Sequence, residues 1–339
     1  MRFGLIGYGL WGRHHAAAIA AAPGATLAAI ACVSDETAAA AARDFPDVAV
    51  ERGYRALLAR ADVDAVAVVV PNHLHAEIGV AALEAGKDVL LEKPMATTLE
   101  GCDRLLAAAT ASGRVLSIGH ELRLSAQYGR VKALIEAGDI GTPVYAAFSL
   151  FRFPFRPGSQ GWRYDPARVG SWILEEPVHF FDFVMWYFER VGDPLSVSAL
   201  GAAGEGGAGL VQNFSAVLRF PGGGHAVITQ TLGGFEYHQV LHVVGTEGAI
   251  RSWWSGALDR TRHPAFELRL ERRRGGGAET VLVGPSGELV ELSEQARRIV
   301  PAFAARRPLL SGEEARKRIA VCLAAEESLS QGREIALDL

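Results

Sequence analysis

Phe3-Gly4-Leu5-Ile6-Gly7-Tyr8-Gly9-Leu10-Trp11-Gly12 decides the fold. An apolar run over residues 3–6 meets a G-x-G-x-x-G, and residues 11–22 then carry helical periodicity until Pro23-Gly24 stops them. Strand, glycine turn and helix in that order are the context in which such glycines gain meaning. Gly7 suits the tight turn and Gly9 leaves the backbone open to a pyrophosphate. Gly12 lets the helix lie close on the strand, with phosphate groups at the helix's positive end.

Working outward, the alternation continues. Strands are expected at 27–33, 65–70, 88–91 and 115–119, with helices at 36–44, 54–61, 75–85 and 99–112. Strands this apolar need cover on both faces, the pattern of a doubly wound parallel sheet. After residue 122 a helix at 126–137 gives way to strands. Phe214, Ala216, Leu218 and Phe220 fall on one face, and further strands follow at 226–232, 240–244, 249–253, 266–271 and 280–283 at hairpin-like spacing. Helices are expected at 180–188 and 313–330, and a glycine-rich loop at 201–209. The reading is α/β: a Rossmann domain over 1–122, then an α+β domain over 123–339 with a large, open, mainly antiparallel sheet.

Composition excludes other classes. The 339 residues carry 34 Lys+Arg against 38 Asp+Glu, which argues against a nucleic-acid binder. The basic cluster Arg272-Arg273-Arg274 beside Gly275 reads as a hairpin tip. Cys32, Cys102 and Cys322 are too scattered for a disulfide framework or a zinc site. No apolar run is long enough to span a membrane, and residues 1–6 lack the shape of a leader, so a cytoplasmic protein is expected. Of the 34 cations only Lys87, Lys93, Lys132 and Lys317 are lysines. Lys87, Lys132 and Lys317 read as solvated surface residues, and His14 and His15 as surface or packing residues.

Chemistry concentrates in two places. Glu92-Lys93-Pro94 ends a buried strand at the sheet edge where ligands bind, and a lysine there suits stabilisation of a developing alkoxide. Glu175-Glu176-Pro177-Val178-His179 leads into a helix that is apolar nearly all round, placing His179 in the first turn of a buried helix. The positive helix end favours the neutral ring that a proton acceptor needs. Glu175 lies close enough in sequence to orient that ring, and Asp182 follows one turn along. Arg123 follows the last strand of the first domain. Arg152 between two phenylalanines, Trp162 and Arg163 supply aromatic faces and forked cations suited to a sugar ring and its hydroxyls. At the end of the second strand Ser34 and Asp35 stand where a ribose is read. With no arginine within residues 32–35, NAD is favoured and NADP stays open.

These motifs, in this order and spacing, resemble the Gfo/Idh/MocA oxidoreductase family over essentially the whole chain. Further matching segments are Pro71-Asn72-His73-Leu74-His75-Ala76, Gly138-Asp139-Ile140-Gly141-Thr142-Pro143 and Val244-Gly245-Thr246-Glu247-Gly248. The resemblance implies cofactor contacts at Gly7, Gly9, Leu10, Trp11, Gly12, Ser34, Asp35, Pro71, Asn72, His75, Glu92 and Lys93. It makes Lys93 the active-site lysine, His179 the acid/base and Glu175 its partner, at a position where many relatives carry Asp. Arg123, Arg152, Trp162, Arg163, Glu176 and His179 are the expected substrate contacts, and no metal is expected. The activity implied is an NAD(P)-dependent dehydrogenase acting on a secondary hydroxyl of a sugar, cyclitol or sugar derivative. Its partner is then a small polyol or sugar, without nucleic acid or membrane, in a homodimer or homotetramer. Two other readings remain: an NAD-dependent glycoside-cleaving enzyme, in which an extra acid of the Glu175-Glu176-Pro177 segment serves elimination, and a non-catalytic nucleotide-binding regulator.

Overall fold

Strand and helix alternate through the first third of the chain as the apolar periodicity requires. The computed structural model describes residues 1–204, 209–261, 263–273 and 275–339. The described residues form two units, Met1–Glu121 with Leu292–Ile319, and Leu122–Glu291 with Ala320–Leu339.

In the first unit β1 (Arg2–Ile6), α1 (Leu10–Ala21), β2 (Thr26–Cys32), α2 (Asp35–Asp44), β3 (Ala49–Arg52), α3 (Tyr54–Leu58), β4 (Ala65–Val68), α4 (His75–Glu84), β5 (Asp88–Glu92), α5 (Leu99–Ser112) and β6 (Leu116–Gly119) follow one another. All six strands pair in parallel in the order β3-β2-β1-β4-β5-β6, so the order reverses at β1. That reversal is the switch point at which open α/β sheets take ligands, and Gly7 stands at its carboxyl end. Local chemistry sets the ends of the helices. Ser34 accepts from the Thr37 N–H to cap α2, Thr98 accepts from the Gly101 N–H to cap α5, and Gly113 closes α5 in the left-handed region. The five strands expected from the sequence are present, and β3 is an addition. Its four residues, Ala49-Val50-Glu51-Arg52, are half-buried or exposed and too polar to stand out as a strand.

The second unit contains α6 (Tyr128–Glu136), β7 (Pro143–Phe151), α7 (Pro166–Val169), α8 (Trp172–Glu175) and α9 (Val178–Tyr187). Then come β8 (Ser196–Ala203), β9 (Val211–Arg219), β10 (His225–Thr231), β11 (Tyr237–Gly245), β12 (Ala249–Gly256), β13 (Ala265–Glu271) and β14 (Glu279–Thr280). Two helices precede the short β15 (Ile335–Ala336): α10 (Glu288–Ala304), which from Leu292 onward belongs to the first unit, and α11 (Gly312–Gln331), which passes from the first unit to the second after Ile319. The nine strands run β14-β13-β12-β11-β7-β10-β9-β8-β15. Inward residues alternate as expected: Phe214, Ala216 and Leu218 are buried, and Phe148 of β7 stacks on Phe180 of α9 with ring centroids 4.1 Å apart.

The structure corrects several expectations here. β10 and β11 do not form a hairpin, because β7 lies between them, parallel to β10 and antiparallel to β11. The sheet is therefore mixed, mainly antiparallel. The strand expected at 280–283 is reduced to Glu279–Thr280. The loop expected at 201–209 is strand as far as Ala203, and its residues 205–208 lie outside the described residues, as does Arg274 of the basic cluster. Arg272 sits beyond the end of β13, where Asp139 and Glu279 both pair with it. Among the described residues no helix is long and apolar enough to cross a membrane.

Two lysines also differ from expectation. Lys132 is 4% exposed, and its Nζ donates to the Trp186 carbonyl and to Glu189, each at 2.7 Å. Lys87 is buried with its Nζ donating to the Arg60 and Val63 carbonyls, both at 2.8 Å. Neither is a solvated residue, since an ammonium offers three donors in a small volume where a guanidinium needs a plane. We therefore expect Lys132→Met to lower unfolding free energy by about 1–3 kcal/mol, because it removes the ammonium's bonds to the Trp186 carbonyl and to Glu189. Urea denaturation measures this, and an unchanged midpoint contradicts it.

Candidate active site

In the first unit the glycine loop has the shape a dinucleotide requires. Gly7 has φ +99°, and a β-carbon there would meet the Val69 carbonyl oxygen at 2.1 Å. A β-carbon on Gly12 would lie 2.1 Å from the Gly7 carbonyl oxygen, so α1 can approach β1 this closely only with glycine. At Gly9 a β-carbon would meet nothing within 4 Å. That open space adjoins the first N–H groups of α1, and it fits the diphosphate of a dinucleotide. Leu10 is exposed beside it and Trp11 half-buried.

Around the end of β5 the buried groups are laced together. Glu92 is 4% exposed, and His15 Nε2 lies 2.8 Å from its Oε1. His15 is thus the buried partner of Glu92. Desolvation by itself would raise the Glu92 carboxyl, but His15, Lys93 and the Trp11 indole together hold it below the usual 4.5. Lys93 follows, half-buried, with its backbone N–H 3.3 Å from Glu92 Oε2. Its peptide to Pro94 is cis. His75, at the start of α4, places Nδ1 2.6 Å from the Pro94 carbonyl and Nε2 2.9 Å from the Val70 carbonyl. It therefore ties the turn carrying Lys93 to the loop after β4, in which Pro71 precedes the buried Asn72. Ser34 caps α2 with its hydroxyl, and Asp35 pairs with Arg52 at 2.6 Å.

In the second unit, three arginine–carboxylate pairs surround the start of α9. Ser171 caps α8 by accepting from the Leu174 N–H, and α8 ends on Glu175. Arg163 donates through Nε to Glu175 Oε1, with its guanidinium 4.5 Å from the Trp162 ring. Trp162 itself is buried with Phe155, Val169, Trp172, Leu210 and Leu232. Arg152 donates to Glu176 Oε2, and the Tyr237 hydroxyl donates to the other oxygen, Oε1. Burial first, and then Glu176, push the Tyr237 hydroxyl well above its ordinary pKa, so its proton stays on that bond. Behind it Gln239 Nε2 donates to the Tyr237 oxygen at 3.0 Å, and the Tyr128 hydroxyl donates to Gln239 Oε1. These donors all point one way, ending on Glu176. Arg123 holds Asp182 with two bonds of 2.7 Å and lies 5.0 Å from the Trp186 ring. His179 is 4% exposed in the first turn of α9, its backbone N–H donating to the Glu176 carbonyl at 3.0 Å.

In the second unit Arg163 meets Glu175 and Arg152 meets Glu176, whose carbonyl accepts from the His179 backbone N–H. The structure assigns partners that the sequence did not: Arg163 for Glu175, and Arg123 for Asp182. Tyr237 and Gln239 went unread because they precede the expected strand at 240–244. Tyr237 sits next to Arg152 only through the β11–β7 register, in which His238 opposes Phe151.

A parallel sheet with its glycine loop at the switch point, joined to an open mixed sheet with a buried histidine, defines a two-unit dinucleotide-dependent oxidoreductase. Residues 1–120 match the family described as "Oxidoreductase family, NAD-binding Rossmann fold", and residues 128–251 match the "GFO/IDH/MocA C-terminal domain". The chain belongs to the Gfo/Idh/MocA oxidoreductases. It is 34% identical to the 1,5-anhydro-D-fructose reductase of Ensifer adhaerens over 81% of each chain. It is 27% identical to the myo-inositol 2-dehydrogenase of Thermotoga maritima over 100% of this chain and 99% of that one. The aldose–aldose oxidoreductase of Caulobacter crescentus superposes with a TM-score of 0.86 at 21% identity over 99% of each chain. The protein is therefore an oxidoreductase with an NAD-binding Rossmann domain.

The Glu92 environment has a signature in pH. A carboxyl whose folded pKa is depressed contributes stability that is present above its unfolded value and is lost as pH falls through the folded one. We expect Glu92→Gln to lose about 1–3 kcal/mol at pH 7. The gap to wild type should close on acidification below 4.5, the ordinary value. Thermal melts across pH 3–8 read both; a gap independent of pH contradicts the assignment.

Proposed function

We propose that the protein is an NAD(P)-dependent dehydrogenase that acts on a secondary hydroxyl, or the corresponding ketone, of a sugar, cyclitol or sugar derivative. The single observation that carries this is the wall of fixed donors and acceptors around the start of α9, with Arg163 on Glu175 and with Arg152 and Tyr237 on Glu176. Such a wall suits a small molecule with a hydroxyl on every face, held by paired polar groups that are already oriented. The relatives' names, a reductase of an anhydro-sugar and an inositol dehydrogenase, point the same way.

In this proposal residues 1–122 bind the dinucleotide and residues 123–339 bind substrate and mediate self-association. Gly7, Gly9, Leu10, Trp11 and Gly12 hold the diphosphate, Ser34 and Asp35 the ribose, and Pro71, Asn72 and His75 the loop beside them. Glu92 acts through the position it gives Lys93. NAD, when bound, supplies the hydride acceptor. His179 takes the hydroxyl proton as hydride leaves the carbinol carbon, and the Lys93 ammonium stabilises the alkoxide as it forms. Glu175 fixes the chain before His179, and Arg123 does so from behind through Asp182. Arg152, Trp162, Arg163, Glu176 and His179 form the substrate wall. Exposed Val144, Phe151 and Leu200 on the sheet support assembly as a homodimer or homotetramer, and three buried free thiols support a reducing, cytoplasmic setting.

A glycoside-cleaving reaction needs an acid available for elimination. Both oxygens of Glu176 already accept from a donor, which favours simple dehydrogenation. The test is turnover of NAD and NADP against cyclitols, aldoses, uronates and glycosides, with aglycone release followed in parallel. Lys93→Ala and His179→Ala should each lower kcat by about 10²- to 10⁴-fold while NADH still binds. Normal turnover in Lys93→Ala, or aglycone release without net cofactor reduction, overturns the proposal.

A further inference from the structure

Asp35 and Arg52 are remote in sequence, and the β2–β3 pairing brings them together. Cys32 of β2 is the register partner of Arg52, and the Gly53 N–H donates to the Cys32 carbonyl at 3.0 Å. Both strands therefore end at the same level, with the Arg52 guanidinium 2.6 Å from Asp35 Oδ1. The end of the second strand is where a dinucleotide's adenosine ribose is read: an acid takes its 2′-hydroxyl and an arginine its 2′-phosphate. Here one acid and one arginine share that place. Their side chains are 95% and 61% exposed, so the pair holds itself only weakly and a stronger anion can displace the carboxylate.

We propose that Arg52 is the residue that lets this site take a 2′-phosphorylated dinucleotide, and that the Asp35–Arg52 pair is a two-position reader of the ribose. This rests on the dinucleotide site described above. With the unphosphorylated cofactor Asp35 accepts the 2′-hydroxyl and Arg52 balances its charge. With the phosphorylated cofactor the guanidinium turns from Asp35 to the phosphate, whose oxygens match its fork of donors. Asp35 and Glu36, both in the first turn of α2, oppose the phosphate. The chain therefore binds both cofactors and prefers the unphosphorylated one.

Equilibrium titration of wild type with NADH and NADPH, read by nicotinamide fluorescence and by calorimetry, tests this without turnover. Wild type should bind both, NADH more tightly. Arg52→Ala should raise the NADPH Kd by about ten- to a hundredfold and leave the NADH Kd within about threefold, the loss of one charge-assisted contact. Asp35→Asn should move the two the other way, tightening NADPH and weakening NADH. Added salt should weaken NADPH binding more than NADH binding. A wild type that binds NADH but not NADPH, or an Arg52→Ala variant in which both constants shift alike or neither shifts, overturns the inference. Failure of wild type to bind either nucleotide overturns the dinucleotide reading itself. NADH binding by Arg52→Ala doubles as its control for folding.

Discussion

The contact between Gly12 and the Gly7 carbonyl governs the first unit. With a β-carbon that would fall 2.1 Å from the oxygen, no other residue permits α1 to descend onto β1. Because α1 can descend, its amino end stands at the reversal of strand order, and Gly9 faces open space there. The diphosphate-shaped cradle, the burial of His15 on the inner side of α1 and its bond to Glu92 all follow from that one approach. So does the placement of Lys93, which is the residue after Glu92. A single missing methyl group thus couples the helix that would hold the cofactor to the turn that carries the candidate active-site lysine.

In the second unit the corresponding constraint is charge. Glu175, Glu176 and Asp182 are all buried on or beside a helical segment with almost no other polar atoms. A buried carboxylate is costly unless it is paired and hydrogen-bonded, and each has an arginine. Such pairs add little net stability compared with apolar packing, but they fix direction. The aligned donors from Tyr128 through Gln239 and Tyr237 to Glu176 do this by orienting hydroxyl and amide dipoles toward one carboxylate. The rigidity of the wall comes from these pairs, which is why it suits recognition better than proton exchange.

How much of this could be read beforehand depends on the distance over which each cause acts. The glycine loop, the Glu92-Lys93-Pro94 turn and the helix bearing His179 are signalled by neighbours within a few residues, and they stand where expected. β3 was not legible, because its residues lack the apolar run that marks a buried strand. β7 was not legible either, since Phe151-Arg152-Phe153 attracted notice as contacts rather than as the end of a strand. Losing β7 made β10 and β11 look like a hairpin. It also hid Tyr237, whose meeting with Arg152 depends on that strand. Lys87 and Lys132 looked like surface residues because the carbonyls that bind them come from remote segments.

By itself the sequence determined the class: two successive patterns of apolar periodicity, a glycine turn in its proper context, and the positions of the chemically capable side chains. Those follow from sterics and solvation acting between near neighbours, which any chain of this composition must obey. Tertiary structure alone decided the pairings, namely which arginine meets which carboxylate, which strand separates β10 from β11, and which cation reaches the end of β2. Pairing depends on strand register, and register is set by the packing of whole sheets over a buried face rather than by any local stretch of residues.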